Sequence, residues 1–482
     1  MTPRPARVVP RIDADAESPL AALARPRGRP LHVAILSDFV RVSYANGAVF
    51  QTRFLQQALV RAGHRVTIVG PHDPDAAPGD VAADTICLPS VPVRSYPGLH
   101  MPLPLARWVF DPARWSFDLV FGQTTSLLLE LGVWLRRVKG IPLLSVHTTL
   151  LEAAYDSLLP TEWSHPLVHA GARLFLEPPY LRLYTGLYNG GDALIVLCDG
   201  LARTWRLHGV TVPIHVVPRA VSPEIFDRPL GADPYPPRRG PRLLCAGRLV
   251  HEKSQDRVLA IFARHVLPRR PDATLTLVGD GPAAGEWRRL AADLGVADSV
   301  RFAGEQAQWR MRDWYGHADA FLHASLTETY GNVLGEALWN GLPVVAFADG
   351  MGASYQIRDG VNGILVPPGR TAAERAEADR AFGGAVVELL ARPELGHGVG
   401  QRAAMLQRER SAPHAVEAKL AATFAAAIER ARRARRAPAG VAAAFPHFRR
   451  WLLGNGAVWL AGRLRSDEDT LARRPGHPQL GG

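Results

Sequence analysis

The chain has 482 residues, of which 47% are hydrophobic and 21% charged. That is long enough for two domains with separate cores, and the balance excludes a disordered, collagen-like or disulfide-scaffolded chain. The net charge of +11 is concentrated late: residues 401–482 hold 15 Lys plus Arg against 6 Asp plus Glu, so the body is near neutral and the tail basic. Cys87, Cys198 and Cys245 are far apart and odd in number, which points to a reducing compartment and to no metal spacing. No uninterrupted apolar run reaches the roughly 18 residues of a membrane-spanning helix.

Residues 1–30 mix Pro, Arg and Ala with scattered acids and are expected to be a disordered leader. Leu31 to Leu36 reads as a buried strand, Asn46-Gly47 as a turn, Phe50 to Ala62 as a helix and Arg65 to Val69 as the next strand. This is a βαβ unit, which implies a parallel sheet. The rhythm recurs with strands at Phe117–Val120, Pro142–Val146 and Asp192–Leu197, and helices at Ser126–Arg137 and Gly200–Leu207. The Pro-rich stretch around Asp233-Pro234-Tyr235-Pro236-Pro237 is the expected interdomain linker, residues 227–241. A second doubly wound unit follows, with strands at Arg242–Ala246, Ala273–Val278, Ala318–His323 and Val344–Phe347. The expected organisation is a leader (1–30), an α/β domain (31–226), the linker, a second α/β domain (242–410) and a helix with a basic tail (411–482).

The densest signal runs from Ser325 to Gly341, S-L-T-E-T-Y-G-N-V-L-G-E-A-L-W-N-G. Glu328 and Glu336 flank Tyr330-Gly331-Asn332. The expected layout puts Glu328 in a loop and Glu336 one to two turns into the following helix. Both then face the end of a parallel sheet where open α/β folds bind ligands. Amides of Gly331, Asn332, Val333 and Leu334 would open the helix toward an anion. One acid for sugar hydroxyls, one for ribose hydroxyls and free amides for phosphates is what a nucleotide-sugar requires.

This segment, from Thr327 to Ala346, resembles the retaining nucleotide-sugar glycosyltransferases of family 4 (group 1), with their two Glu separated by seven residues. The resemblance covers roughly residues 31–410. It implies the GT-B architecture, two Rossmann-like halves with the active site in the cleft between them, and a helix from Ala412 to Arg436 returning to the first half. Gly247-Arg248-Leu249-Val250-His251-Glu252-Lys253 resembles the family motif whose Arg and Lys hold the donor diphosphate. Fixed cations there would stabilise charge building on the leaving group. Only three of the 56 basic residues are lysine, and one of them is Lys253. Gly279-Asp280-Gly281-Pro282 resembles the family's tight turn near the nucleotide. Asn46-Gly47 resembles its glycine loop, and His147 its strand-end histidine, which bonds the transferred sugar or stabilises positive charge on its ring.

The resemblance therefore assigns His147, Arg248, Lys253 and Glu328 to catalysis. It assigns Asn46, Gly47, Gly279, Gly331, Asn332, Val333 and Glu336 to the donor. No metal or cofactor is implied, because amides, Arg and Lys replace a cation, and a front-face mechanism suits the lack of an evident base. Two departures stand out. Arg219-Ala220-Val221-Ser222 replaces an R/N-G-V-D pattern, and Tyr355 occupies a position where relatives carry Glu, with Gln356 adjacent. Gly350 and Gly352 are expected to let amides reach the sugar.

Leu88 to Pro97 resembles a stretch in relatives that glycosylate diacylglycerol or phosphoinositide lipids, including sulfoquinovosyl, mannosyl and glucosyl transferases. Phe445, Phe448, Trp451 and Trp459 lie beside arginines in the tail, as in an interfacial segment; a helix packed on the body is the other reading. The expected partners are a nucleotide-sugar such as a UDP- or GDP-sugar, a lipid or glycan acceptor and an anionic membrane surface, with no nucleic acid. The expected location is cytoplasmic and peripheral at the inner membrane face. Two alternatives stay open: a basic-tailed scaffold on a degenerate GT-B body, and an epimerase or hydrolase of the same fold.

Overall fold

A computed structural model describes residues 17–23, 29–41, 47–77, 79–92, 99–103, 115–124, 126–148, 171, 174–175, 177–237, 240–434 and 446–454. By its contacts the chain divides into an N-terminal unit, reaching Pro218 and resuming at Val416, and a second unit from Arg219 to Ala415.

The N-terminal unit is built on a seven-stranded parallel sheet. Its strands are β1 (His32–Ser37), β2 (Arg65–Pro71), β3 (Thr85–Leu88), β6 (Leu119–Gln123), β7 (Leu143–His147), β8 (Ala193–Val196) and β9 (Ile214–Val216), in the order β3-β2-β1-β6-β7-β8-β9. A small antiparallel ribbon pairs β4 (Ser90–Pro92) with β5 (His100–Pro102). The first βαβ unit is formed as expected, with a helix at Gly47–Arg61.

The second unit is a six-stranded parallel sheet. Its strands are β10 (Arg242–Ala246), β11 (Thr274–Val278), β12 (Val300–Phe302), β13 (Ala320–His323), β14 (Val344–Phe347) and β15 (Ile364–Val366), in the order β12-β11-β10-β13-β14-β15. Residues of β10 alternate between two cores. Leu243 and Cys245 join a cluster around Phe262, Trp287 and Phe382. Leu244 and Ala246 join one around Trp314, Phe321 and Trp339. A strand buried on both faces reads as a continuous apolar run, as this one does.

Chain order reverses between β10 and β13, which are direct neighbours with Leu243 opposite Ala320 and Leu244 opposite Phe321. The crevice at such a reversal is where open α/β sheets bind ligands. The loops leaving β10 and β13 are the two that carry the Arg-Lys and two-Glu motifs.

Two expected boundaries differ. Residues 17–23, placed in a disordered leader, include a packed turn at Pro19–Ala22. Leu20 is fully buried, its carbonyl meets His64 Nε2 at 2.8 Å, and Ser18 donates to Glu417 at 2.5 Å. The described part of the expected linker is tied into the second unit instead of hanging free. Asp227 accepts both Nη atoms of Arg408, Arg228 pairs with Asp313, and Tyr235 is buried against Trp314. The helix Pro413–Arg433 leaves the second unit and, from Val416 on, packs in the N-terminal one, with Phe424 against Phe121.

Candidate functional site

Three loops of the second unit meet at the reversal. The loop after β10 is held by Gln255, whose Nε2 donates to the Arg248 carbonyl at 2.7 Å. Ser254 takes a left-handed φ of +51°, the only non-glycine residue among the described ones to do so. It follows Lys253 directly, so backbone strain is spent at the motif. Ser325, in the loop after β13, donates to the Glu252 carbonyl at 3.1 Å and joins the two loops. Gly279, after β11, sits at φ +132° where a Cβ would overlap the Gly247 carbonyl, so only glycine allows that approach.

The ionic centre of this arrangement is Glu328. Its Oε1 accepts from Lys253 Nζ at 2.7 Å and lies 3.3 Å from His323 Nε2. Glu328 keeps only 8% side-chain exposure and Lys253 22%. Burial alone would push the Glu328 carboxyl up. The Lys253 charge, then the bond and charge of His323, outweigh it and hold the group well below the usual carboxylate range. Arg248 is exposed, with Nη2 3.4 Å from Glu252 Oε1.

Gly331 is the N-cap of the helix Asn332–Trp339, at φ +79°. The first amides of a helix lack the usual i−4 partner, but the Leu334 amide donates to the Gly331 carbonyl at 3.0 Å, so of the expected anion-facing amides Leu334 is engaged. Gln356 supports the turn by donating from Nε2 to the Tyr330 and Gly331 carbonyls. Glu336, one turn inside, is partly buried, with Tyr315 donating to Oε2 at 2.9 Å and Gln308 Nε2 3.5 Å from Oε1. Among the described residues no cation pairs with it. Burial raises its carboxyl to about 7 against the lowering effect of those two bonds.

His147 ends β7 in the N-terminal unit. Its Nδ1 meets Tyr188 Oη at 2.9 Å and its ring stands edge-on to Trp205. Nε2 is buried with no partner. Burial depresses the imidazole to about 3, so the ring is neutral and offers a hydrogen bond rather than a charge. Gly47 is the first residue of its helix, and Asn46 lies outside the described residues.

Of the expected residues, Lys253, Glu328, Gly331, Asn332, Val333 and Glu336 thus come together with Arg248 and Gly279 around one end of the second sheet. His323, Tyr315 and Gln308 were missed. His323 carried a readable signal, since it ends a buried strand as His147 does. Tyr315 and Gln308 come from a different stretch of chain and carried none. The amides of Gly350 and Gly352 are themselves engaged. The Gly350 amide donates to Ser354 Oγ at 2.9 Å and the Gly352 amide to the Glu328 carbonyl at 2.8 Å. A Cβ at Gly352 would overlap the Tyr330 and Glu328 carbonyls, so close packing requires that glycine. Tyr355 packs near Tyr330, with the Arg410 guanidinium 5.0 Å from its ring.

In the tail, Trp451 is buried and donates to the Pro102 carbonyl at 2.9 Å, while Leu452 and Leu453 are exposed. Glu130 is fully buried and accepts from Arg450 Nε at 2.6 Å, with His447 Nδ1 at 2.5 Å. The residues 446–454 are therefore packed on the N-terminal unit by one face. Phe445 and Trp459 lie outside the described residues, as do residues 93–98 of the stretch compared with lipid glycosylators. Among the described residues no cluster of His, Cys, Asp or Glu could hold a metal, and no helix is long and apolar enough to cross a membrane.

Two family profiles match the chain: "Glycosyltransferase Family 4" over residues 45–225 and "Glycosyl transferases group 1" over residues 240–390. Together they span more than half of it. The chain is 27% identical over 319 residues to the alpha-monoglucosyldiacylglycerol synthase of Streptococcus pneumoniae, covering 62% of this chain and 68% of that one. It is 30% identical over 256 residues to the D-inositol 3-phosphate glycosyltransferase of Streptomyces griseus, covering 47% of this chain and 52% of that one. Among solved structures, Anabaena HepE in complex with UDP superposes with a TM-score of 0.61 at 17% identity, covering 82% of this chain and 100% of that one. Sucrose-phosphate synthase from Thermosynechococcus elongatus gives 0.61 at 19% identity, covering 82% and 98%. At those identities the structural likeness is one of fold.

Proposed function

This chain belongs to the group 1, family 4 glycosyltransferases of the GT-B fold, and we propose that it moves a hexose from a nucleotide-diphospho-sugar to a lipid or glycan hydroxyl with retention. The observation that carries the reading is the Lys253–Glu328 pair at the reversal between β10 and β13, in the loop that leads into the N-terminus of the Asn332–Trp339 helix. In this reading Arg248 and Lys253 take the diphosphate, together with the amides of Gly331, Asn332 and Val333. Glu328 takes hydroxyls of the transferred hexose, and Glu336 takes the ribose diol. Gly279 brings backbone close to the nucleotide. In the N-terminal unit, the unpartnered Nε2 of His147 is left to hydrogen-bond a sugar hydroxyl, and Asn46-Gly47 keeps the phosphate-loop role that its resemblance implies.

A lipid acceptor is supported by the diacylglycerol-directed name of one relative. It is also supported by the exposed Leu452 and Leu453 beside Arg449, on a segment whose opposite face is anchored by Trp451. Apolar residues beside cations suit an anionic bilayer surface, which would place the enzyme at the cytoplasmic face of a membrane. Flotation with phosphatidylglycerol vesicles tests this: Leu452→Ser with Leu453→Ser, and a chain ending at Gly440, should both lose binding. Undiminished binding of both would remove the tail from the membrane reading.

The donor reading is tested by thermal shift and turnover against UDP-, GDP- and ADP-sugars, with Glu336→Ala alongside. A donor at about 100 times its Kd stabilises the fold by about 2.7 kcal/mol. One donor should shift the wild type and not the variant. No shift and no turnover with any of them would refute the reading.

A further inference from the structure

Arg219 is buried, with 9% of its surface exposed, yet among the described residues no carboxylate pairs with it. Nη1 donates to Asn332 Oδ1 at 3.3 Å, and Nε has no partner. Two other withdrawn arginines of the second unit do have a carboxylate: Arg408 is bidentate to Asp227, and Arg257 pairs with Asp379 at 2.7 Å; Arg312 is held instead by Asn340 Oδ1 and the Arg228 carbonyl. Burial lowers the Arg219 guanidinium to about 10, opposed by Tyr330 and Glu328. Glu328 acts on Arg219 only through space, since its ion pair at 2.7 Å is with Lys253.

The position of this cation is also unfavourable unless an anion arrives. Asn332 is the first residue of the helix Asn332–Trp339, whose N-terminus carries the positive end of its dipole. The Arg219 segment is held there. Val221 N donates to the Ser411 carbonyl at 2.9 Å, and Tyr330 Oη meets Ser411 Oγ at 2.8 Å and the Arg219 carbonyl at 3.5 Å. A desolvated guanidinium fixed against a positive helix end is a standing cost, and an oxyanion at that helix end would offset both charges.

We propose that Arg219, with Asn332, forms an oxyanion subsite for the sugar-bearing phosphate of the donor diphosphate, in addition to Arg248 and Lys253. The proposal rests on the nucleotide-sugar reading above. Arg219 is a positioning residue in it: it orients the Asn332 amide side chain and adds charge to the helix end that meets the phosphate.

The test is calorimetric binding of UDP, GDP and ADP, each against its monophosphate, to the full chain. For the nucleotide that binds, Arg219→Gln should cut the preference for diphosphate over monophosphate by about 10-fold or more, through loss of the charge behind the helix end and of the hold on Asn332. Arg219→Lys should restore part of it. Asn332→Asp gives Arg219 the carboxylate it lacks. It should lose the same preference while melting at or above the wild-type temperature, which a failure to fold cannot imitate. A wild-type preference in Asn332→Asp, or in a folded Arg219→Gln, overturns the subsite while the donor reading stands. No nucleotide binding by the wild type overturns both.

Discussion

Replacing Lys253 by Met removes the cation from a buried pair and leaves its shape. Breaking a buried ion pair from one side costs about 3–5 kcal/mol, because the remaining charge is stranded. Lys253 keeps 22% side-chain exposure, so water relieves part of this and about 2–3 kcal/mol is expected. For a unit the size of residues 219–415, that is a fall in melting temperature of about 4–12 °C. Glu328→Gln on top of Lys253→Met removes the stranded charge and should return most of the loss, so the double variant is more stable than the single one. The pH dependence has a definite sign. In the wild type Glu328 is held low, chiefly by Lys253 against burial, so it stabilises the fold above the ordinary carboxylate range and the benefit fades only on strong acidification. In Lys253→Met burial dominates and the carboxyl rises. Its penalty is then full at pH 7.5 and shrinks as pH falls toward the unfolded value near about 4.3. Scanning calorimetry at pH 7.5 and 5 reads all of this. A single variant that melts with the wild type at pH 7.5, or a double variant less stable than the single, would refute the reasoning.

Glu336, raised to about 7, disfavours the folded state as pH climbs from the unfolded carboxylate value through 7, and in its proposed role ribose hydroxyls donating to it would favour its ionised form. Donor binding should therefore release a proton at pH 6 and tighten by up to ~10-fold per pH unit below about 7, then level off. Titration calorimetry in two buffers would show it, and a flat Kd from pH 5.5 to 7 would contradict it. Gly279→Ala should cost about 1–3 kcal/mol, since its Cβ meets the Gly247 carbonyl. Gly304→Ala, at φ +70° in open space, should cost only about 1 kcal/mol, and equal losses in denaturant melts would undo that contrast. Glu130→Gln strips the carboxylate that holds His447 and Arg450, so trypsin should cleave after Arg449 or Arg450 faster than in the wild type. An unchanged digestion rate would mean that Trp451 alone secures the segment.

Most of the sheet architecture was legible because each central strand is a short apolar run closed by a glycine or a polar turn. Arg242–Ala246 and Val344–Phe347 sit where the pattern placed them. The motif residues were legible for a related reason, since a loop at a strand end needs particular residue types at fixed spacing. What was hidden depends on distance in sequence. Nothing near Glu336 announces Tyr315, and nothing near Glu130 announces His447, 317 residues away. The Pro-rich stretch read as a linker because proline marks irregular backbone, but proline does not say whether that backbone is docked. Asp227 and Tyr235 dock it. At Gly352 the sequence does not say whether a glycine makes room for a ligand or for its own chain; here it admits the Tyr330 and Glu328 carbonyls of the same unit.

The charges of the candidate site are held against one another. Lys253 rests on Glu328, Arg248 lies near Glu252, and Glu336 is close to half protonated at neutral pH. A diphosphate arriving at Lys253 competes with Glu328 for the same ammonium. Glu328 then loses part of what holds its carboxyl low and must find new donors. Hexose hydroxyls are such donors, and a nucleoside diphosphate without its sugar brings none. In the proposed donor site the pairing would couple phosphate binding to sugar binding through one lysine. A complete donor satisfies both partners, whereas a bare diphosphate satisfies Lys253 and strands Glu328. It follows that Glu328→Gln, which has no charge to strand, should bind the bare diphosphate more tightly relative to the nucleotide-sugar than the wild type does. A ratio of the two Kd values that does not move would show that Glu328 and the sugar are not linked in this way.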